Sequence, residues 1–186
     1  FLHGLIAAVL IGALCGLIGT HVVLRGMSYV GHGLSHAAFG GAIIGFVLNF
    51  NFYVGAGITG IFAALMINQL TKNKKIKSDA AIGIVTTAIF ALGVAVVSQQ
   101  RNLNKSLEAA LFGNILGITD SDLMIIGLVS VVTIAIMFLT YRPLLFSIFD
   151  QEAAQIFGIR TEALQLLFAV LLTLSVIVAM NIVGVT

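Results

Sequence analysis

The chain has little charge. Of its 186 residues, 9 are lysine or arginine and 7 are aspartate or glutamate, so 9% are charged while 60% are hydrophobic. A soluble domain carries about a quarter of its residues as charges, and a mean hydropathy of +1.15 leaves too little polar surface for one. A soluble enzyme and a nucleic-acid-binding module are thereby excluded, and a net charge of +2 supplies no basic face for nucleic acid. A single cysteine, Cys15, lies inside an apolar run, which rules out a disulfide framework and a CxxC metal motif. One proline, Pro143, leaves the long apolar runs without a helix breaker.

What is present is a set of uncharged stretches: residues 1–24, 26–71, 80–100, 123–141 and 163–186. A bilayer core about 30 Å thick takes about 20 apolar residues per helix. Four stretches therefore fit one span each and the longest fits two. The expected fold is all-α, a polytopic membrane bundle with spans near 1–20, 28–48, 52–71, 80–98, 123–141 and 163–186. The run from Lys72 to Lys77 holds four lysines in six residues, and the positive-inside rule puts it in the cytoplasm. Counting from it, the Arg25 loop and residues 142–162 face inward, and 49–51 and 99–122 face outward. Arg101 and Lys105 run against that rule. Residues 107–117 (LEAALFGNILG) are apolar but too short to span, which predicts a re-entrant or interfacial segment.

Glycine is abundant, with 20 residues. Gly12/Gly16, Gly41/Gly45 and Gly113/Gly117 have the GxxxG spacing that lets membrane helices approach closely. The density peaks at Gly26, Gly31, Gly33, Gly40, Gly41 and Gly45, and the last five predict a closely packed or deformable second span.

In lipid the informative residues are polar. His32 and His36, in GHGLSHAAFGG, are spaced i, i+4, which puts both imidazoles on one helix face where they can meet one ion. Neutral imidazole suits zinc and other late first-row divalent ions. A zinc-protease helix would read HExxH with glutamate as base. Here glycine stands in the base's place, and residues 1–78 contain no aspartate or glutamate. An intramembrane metalloenzyme is thereby disfavoured. His3 and His21, near opposite ends of the first span, read as structural, with polar tips that can reach the interface. Residues 149–158 (FDQEAAQIFG) follow Pro143 on the expected cytoplasmic side. They predict a short amphipathic helix closed by glycine, with Phe149, Ala153, Ile156 and Phe157 on one apolar face, fit to dock a soluble partner.

Five stretches carry a resemblance: VLRGMSYVGHGLSHAAFGG (23–41), IKSDAAIGIV (76–85), LFGNILGITDSDL (111–123), FDQEAAQIFGI (149–159) and VAMNIVGV (178–185). In this order they resemble the permease subunits of bacterial ATP-binding-cassette importers for zinc, manganese and iron. The resemblance implies one permease domain over residues 1–186, a C-terminally truncated fragment, in the bacterial cytoplasmic (inner) membrane. It implies a second permease copy or paralogue, two cytoplasmic ATP-binding subunits that hydrolyse the ATP, and an extracytoplasmic metal-binding protein. No cofactor is expected beyond the transported ion. On the family pattern His36 contacts the metal, and residues 149–158 are the coupling helix, with Phe149, Asp150, Glu152, Ala153, Gln155, Phe157 and Gly158 at the ATPase contact.

The sequence departs from many members in having His32 where they carry aspartate. Imidazole in place of a hard oxygen favours zinc over manganese, and two His32/His36 pairs in a homodimer would offer four nitrogens. The expected mechanism is alternating access, with the metal pausing at His32 and His36. The rival within transporters is a permease for a metal chelate such as haem, siderophore or cobalamin, for which the absence of tryptophan and the presence of only three tyrosines are unfavourable.

Overall fold

The computed structural model describes residues 2–27, 29–48, 52–72, 76–98, 113 and 117–184, and among them every regular element is helical. In chain order these are α1 (Leu2–Leu24), α2 (Val30–Val47), α3 (Phe52–Lys72), α4 (Ser78–Ser98), α5 (Asp120–Leu139), α6 (Tyr141–Phe149), α7 (Gln151–Ile156) and α8 (Thr161–Val183). Five of them are long and apolar enough to cross a membrane: α1, α4 and α5 in full, α3 over Tyr53–Thr71 and α8 over Thr161–Met180. The sixth expected span is α2, 18 residues and thus about 27 Å long. The expected re-entrant segment, 107–117, lies outside the described residues except for Gly113 and Gly117.

Long helices begin earlier than the charge gaps suggested because acidic residues occupy their first turns. Asp79 opens α4, Asp120 and Asp122 open α5, and Glu162 opens α8. A helix N-terminus carries partial positive charge and favours a carboxylate there. At α5 the Thr119 hydroxyl accepts from the Asp122 amide while the Asp122 carboxylate accepts from the Thr119 amide, a reciprocal capping box. Helix α1 stops at Gly26, whose φ of +65° suits glycine.

The helix ends sort into two groups. At one end, Tyr53 of α3 donates to Asp122 of α5 at 3.0 Å and His3 of α1 meets Asp120 at 3.3 Å. At the other, the end of α1, the starts of α2, α4 and α8, the end of α3, and α6–α7 surround one cavity of about 760 Å³. Arg25, Lys77, Arg142 and Arg160 lie at or next to helix termini of this second, basic end.

The core runs the length of the bundle. Leu14, Leu34, Ile82, Met137 and Phe168 form its main cluster, and Phe39, Ile43 and Met180 a second. Val9, Leu128, Val131 and Phe138 stay exposed, as suits a surface solvated by lipid rather than water. With no water to bond buried or lipid-facing hydroxyls, those of Thr71, Thr86, Thr173 and Ser175 donate to carbonyls four residues back in their own helices.

Candidate metal path and coupling segment

Helix α2 is held by backbone approach. A Cβ on Gly33 would lie 2.7 Å from Ile82 and 3.0 Å from the Thr86 hydroxyl, and one on Gly40 would lie 2.8 Å from the Ile89 carbonyl oxygen. On α3, Gly55 fits against the Gly41 carbonyl and the Gly45 Cα, and a Cβ on Gly41 would collide with Thr59. The Thr59 hydroxyl donates to Gly55 in its own helix at 2.9 Å and reaches the Ala37 carbonyl of α2 at 3.3 Å. Gly31, expected to pack with these, has nothing within 4 Å of its Cβ position and makes no close approach. The Gly12/Gly16 pair likewise meets nothing.

With two faces of α2 taken by α3 and α4, the histidines occupy the remaining one. His32 is exposed and His36 half-buried. Their Nε2 atoms stand 3.0 Å apart and the rings meet edge to face. Two nitrogens bound tetrahedrally to one zinc at 2.0–2.1 Å would be about 3.3–3.4 Å apart, so the pair needs only a small adjustment to share an ion. The Ser35 hydroxyl donates to the His32 carbonyl at 2.7 Å, and the His36 ring packs edge-on against Phe90 of α4, 5.0 Å between centroids. Both histidines line a cavity of about 610 Å³ with Tyr29, Asp79, Gly83 and Thr87. Among the described residues no cluster of three or more histidine, cysteine or acidic side chains could enclose a metal.

Asp79 was missed in the sequence. It lies 43 positions beyond His36, and only the parallel packing of α4 on α2 brings the two to one cavity. His21, expected to reach the interface, is instead 4% exposed, its Nδ1 3.2 Å from the Leu17 carbonyl and its ring against Tyr141 and Phe168. That is a packing role. Cys15 is exposed on α1.

Residues 149–158 form no single helix. Phe149 ends α6, and Asp150 breaks the path in an extended conformation. The Asp150 carboxylate then caps α7 by accepting from the Ala153 amide at 2.8 Å. The helix closes at Gly158, φ +78°, with Ile159 and Gly158 amides donating to Ala154 and Gln155 carbonyls, a Schellman ending. Ala154 is the buried anchor, whereas Ile156 and Phe157 are 85% and 76% exposed. Gln155 donates to Thr161 at 3.0 Å, tying α7 to α8, and lines the 760 Å³ cavity beside Arg25, Asn68 and Glu162. The Arg25 guanidinium stands 4.4 Å over the Phe168 ring, and burial lowers its pKa to about 10.

Residues 1–186 match the ABC 3 transport family. The chain is 39% identical over 183 residues to the manganese transport system membrane protein MntC of Halalkalibacterium halodurans, an alignment covering 98% of this chain and 63% of that protein. It is 40% identical over 183 residues to the manganese import system permease protein ScaB of Streptococcus parasanguinis, covering 98% and 65%. The fold superposes on PsaBC from Streptococcus pneumoniae in complex with Fab with a TM-score of 0.83 at 35% identity, covering 98% of this chain and 66% of that one. The chain thus spans less than two thirds of the two curated relatives' length.

Proposed function

The chain belongs to the ABC 3 transport family, and from that premise we propose that it is the membrane-spanning permease subunit of an ATP-driven importer for a divalent transition-metal ion, with manganese the foremost cargo. The observation that carries this is the His32/His36 pair, two Nε2 atoms 3.0 Å apart on the open face of an otherwise enclosed helix. Two imidazoles are too few ligands for a dication, and an exposed polar face is costly in lipid. A second permease copy or paralogue covering α2 would answer both needs. The preference for zinc rested on nitrogen ligands alone. The relatives' names point to manganese, and a carboxylate, Asp79, lines the same cavity.

The permease would act in the bacterial cytoplasmic membrane, with its basic end inward. Ion delivered by an extracytoplasmic binding protein would pause at His32 and His36, and the 760 Å³ cavity would serve as the inner vestibule. Two cytoplasmic ATP-binding subunits would supply the hydrolysis and grip the exposed Ile156 and Phe157 of α7. Because α7 is bonded to α8 through Gln155 and Thr161, its displacement would be passed to the wall of that vestibule.

The test is His36→Ala in the full-length permease, expressed with its partners in cells lacking other manganese importers. Uptake should fall to background while membrane abundance and ATPase association are unchanged. Normal uptake by this variant would refute the site.

A further inference from the structure

Helix α4 turns one stripe toward the histidine cavity. Asp79, Gly83, Thr86, Thr87 and Phe90 all line it, at the i, i+4, i+7, i+8 and i+11 spacing of a single helix face. Phe90 closes the stripe beside His36. Gly83 leaves open space, since a Cβ there would meet nothing within 4 Å. Asp79 ends the stripe toward the basic end. The contact of Gly33 with Ile82 and Thr86 sets the level of His32 on α4, so Asp79 lies about one helical turn, roughly 5 Å, nearer that end.

The Asp79 carboxylate is also uncommitted. Of the four aspartates, Asp120 meets His3, Asp122 accepts from Tyr53 and Thr119, and Asp150 caps α7. Among the described residues no hydrogen bond or ion pair occupies Asp79, which is exposed at the cavity wall. The positive end of its own helix favours a negative charge there.

We infer that Asp79 is a specificity-determining ligand of this path, an oxygen donor that receives the ion from His32 and His36 on its way to the basic end and favours Mn²⁺ over Zn²⁺. The inference rests on the reading of His32 and His36 as metal ligands. Donor sites of N, O or S all bind manganese more weakly than zinc. Imidazole suits zinc, however, while carboxylate and water suit manganese, so an oxygen donor shifts the preference toward manganese. A single carboxylate one turn below two imidazoles supplies hard character without holding the ion in a closed cage.

The experiment measures uptake of radiolabelled manganese and zinc in direct competition by cells expressing the full-length importer. The variants are Asp79→Asn, Asp79→Glu and, as reference, His36→Ala. Asp79→Asn should lower the manganese-to-zinc uptake ratio by about tenfold or more, the scale on which groups tuning a metal site act. Asp79→Glu, which keeps the carboxylate, should hold the ratio within about threefold on the same scale. If Asp79→Asn fails to reach the membrane, Asp79→Ser takes its place, and Mn²⁺ and Zn²⁺ binding to the purified complex gives the same ratio. An unchanged ratio overturns the inference whatever the total rate, because a charge that only stabilises the start of α4 would alter abundance and not selectivity. Loss of both ions in His36→Ala with an unchanged ratio in Asp79→Asn would remove Asp79 and leave the histidine site standing. Normal uptake by His36→Ala would remove the site itself.

Discussion

The approach of α2 to α4 makes a sharp prediction at Gly40 and Gly93. A Cβ on Gly40 would lie 2.8 Å from the Ile89 oxygen, and one on Gly93 would lie 2.5 Å from the Gly40 Cα, against 3.4 Å for ordinary contact. The shortfalls are about 0.6 Å and 0.9 Å. Both obstacles are backbone, so no rotamer change relieves them and the helices must separate. Overpacking of this kind costs about 1–3 kcal/mol, partly offset by the roughly 1 kcal/mol by which alanine exceeds glycine as a helix former. Gly40→Ala should therefore be destabilised by up to about 2 kcal/mol, and Gly93→Ala, with the larger shortfall, by more.

Gly57→Ala and Gly127→Ala provide the control, since nothing lies within 4 Å of either Cβ position. There only the propensity term acts, and stability should rise by up to about 1 kcal/mol. Unfolding of the purified full-length permease in mild detergent measures all four. Metal uptake should follow the same order, because separation of α2 from α4 moves His36 away from Phe90, now 5.0 Å from it between centroids. If Gly40→Ala and Gly93→Ala unfold no more readily than Gly57→Ala, the contact is not the close backbone approach described.

At the end of the bundle away from the basic residues, Tyr53→Phe removes a hydrogen bond to a carboxylate and should destabilise the protein by about 1 kcal/mol in the same assay; unchanged stability would show that the bond contributes nothing. In residues 149–158, Phe157→Asp puts a charge on a side chain that is 76% exposed and whose ring lies 5.9 Å from that of Phe146 between centroids. It should leave the permease folded but reduce co-purification of the ATP-binding subunit about tenfold or more, the weight of a central apolar anchor. Undiminished co-purification would exclude Phe157 from the docking surface.

The spans were legible because lipid imposes length and apolarity on each helix separately, and both are local properties. Their starts were less so. Charge gaps place the beginning of a helix after the last charge, whereas Asp79, Asp120, Asp122 and Glu162 sit inside first turns where the backbone favours them. Residues 149–158 were visible as a short amphipathic stretch, but not their division by Asp150, since the same aspartate could continue a helix or cap a new one. The i, i+4 histidine pair could be read from spacing alone. Asp79 could not, because a register between two helices depends on which glycines meet, and sequence spacing does not report that.

That register ties the polar chemistry to the glycines. Helix α2 contains two histidines and a serine in 18 residues, and alone it would be a poor resident of lipid. It is tolerated because α3 and α4 come close enough to cover its other faces, and only Gly33, Gly40, Gly41, Gly55 and Gly93 allow that distance. At Gly40, Gly55 and Gly93 the contact is backbone against backbone, whereas Gly33 receives the side chains of Ile82 and Thr86 and Gly41 that of Thr59. Sliding by one helical turn, about 5 Å, would exchange Gly83 for Asp79 at the level of His32. A carboxylate would then join the imidazole pair without any side chain having to change its rotamer. The glycines and the histidines are therefore one feature: the packing that lets a polar helix reside in lipid also sets which α4 residue its histidines face.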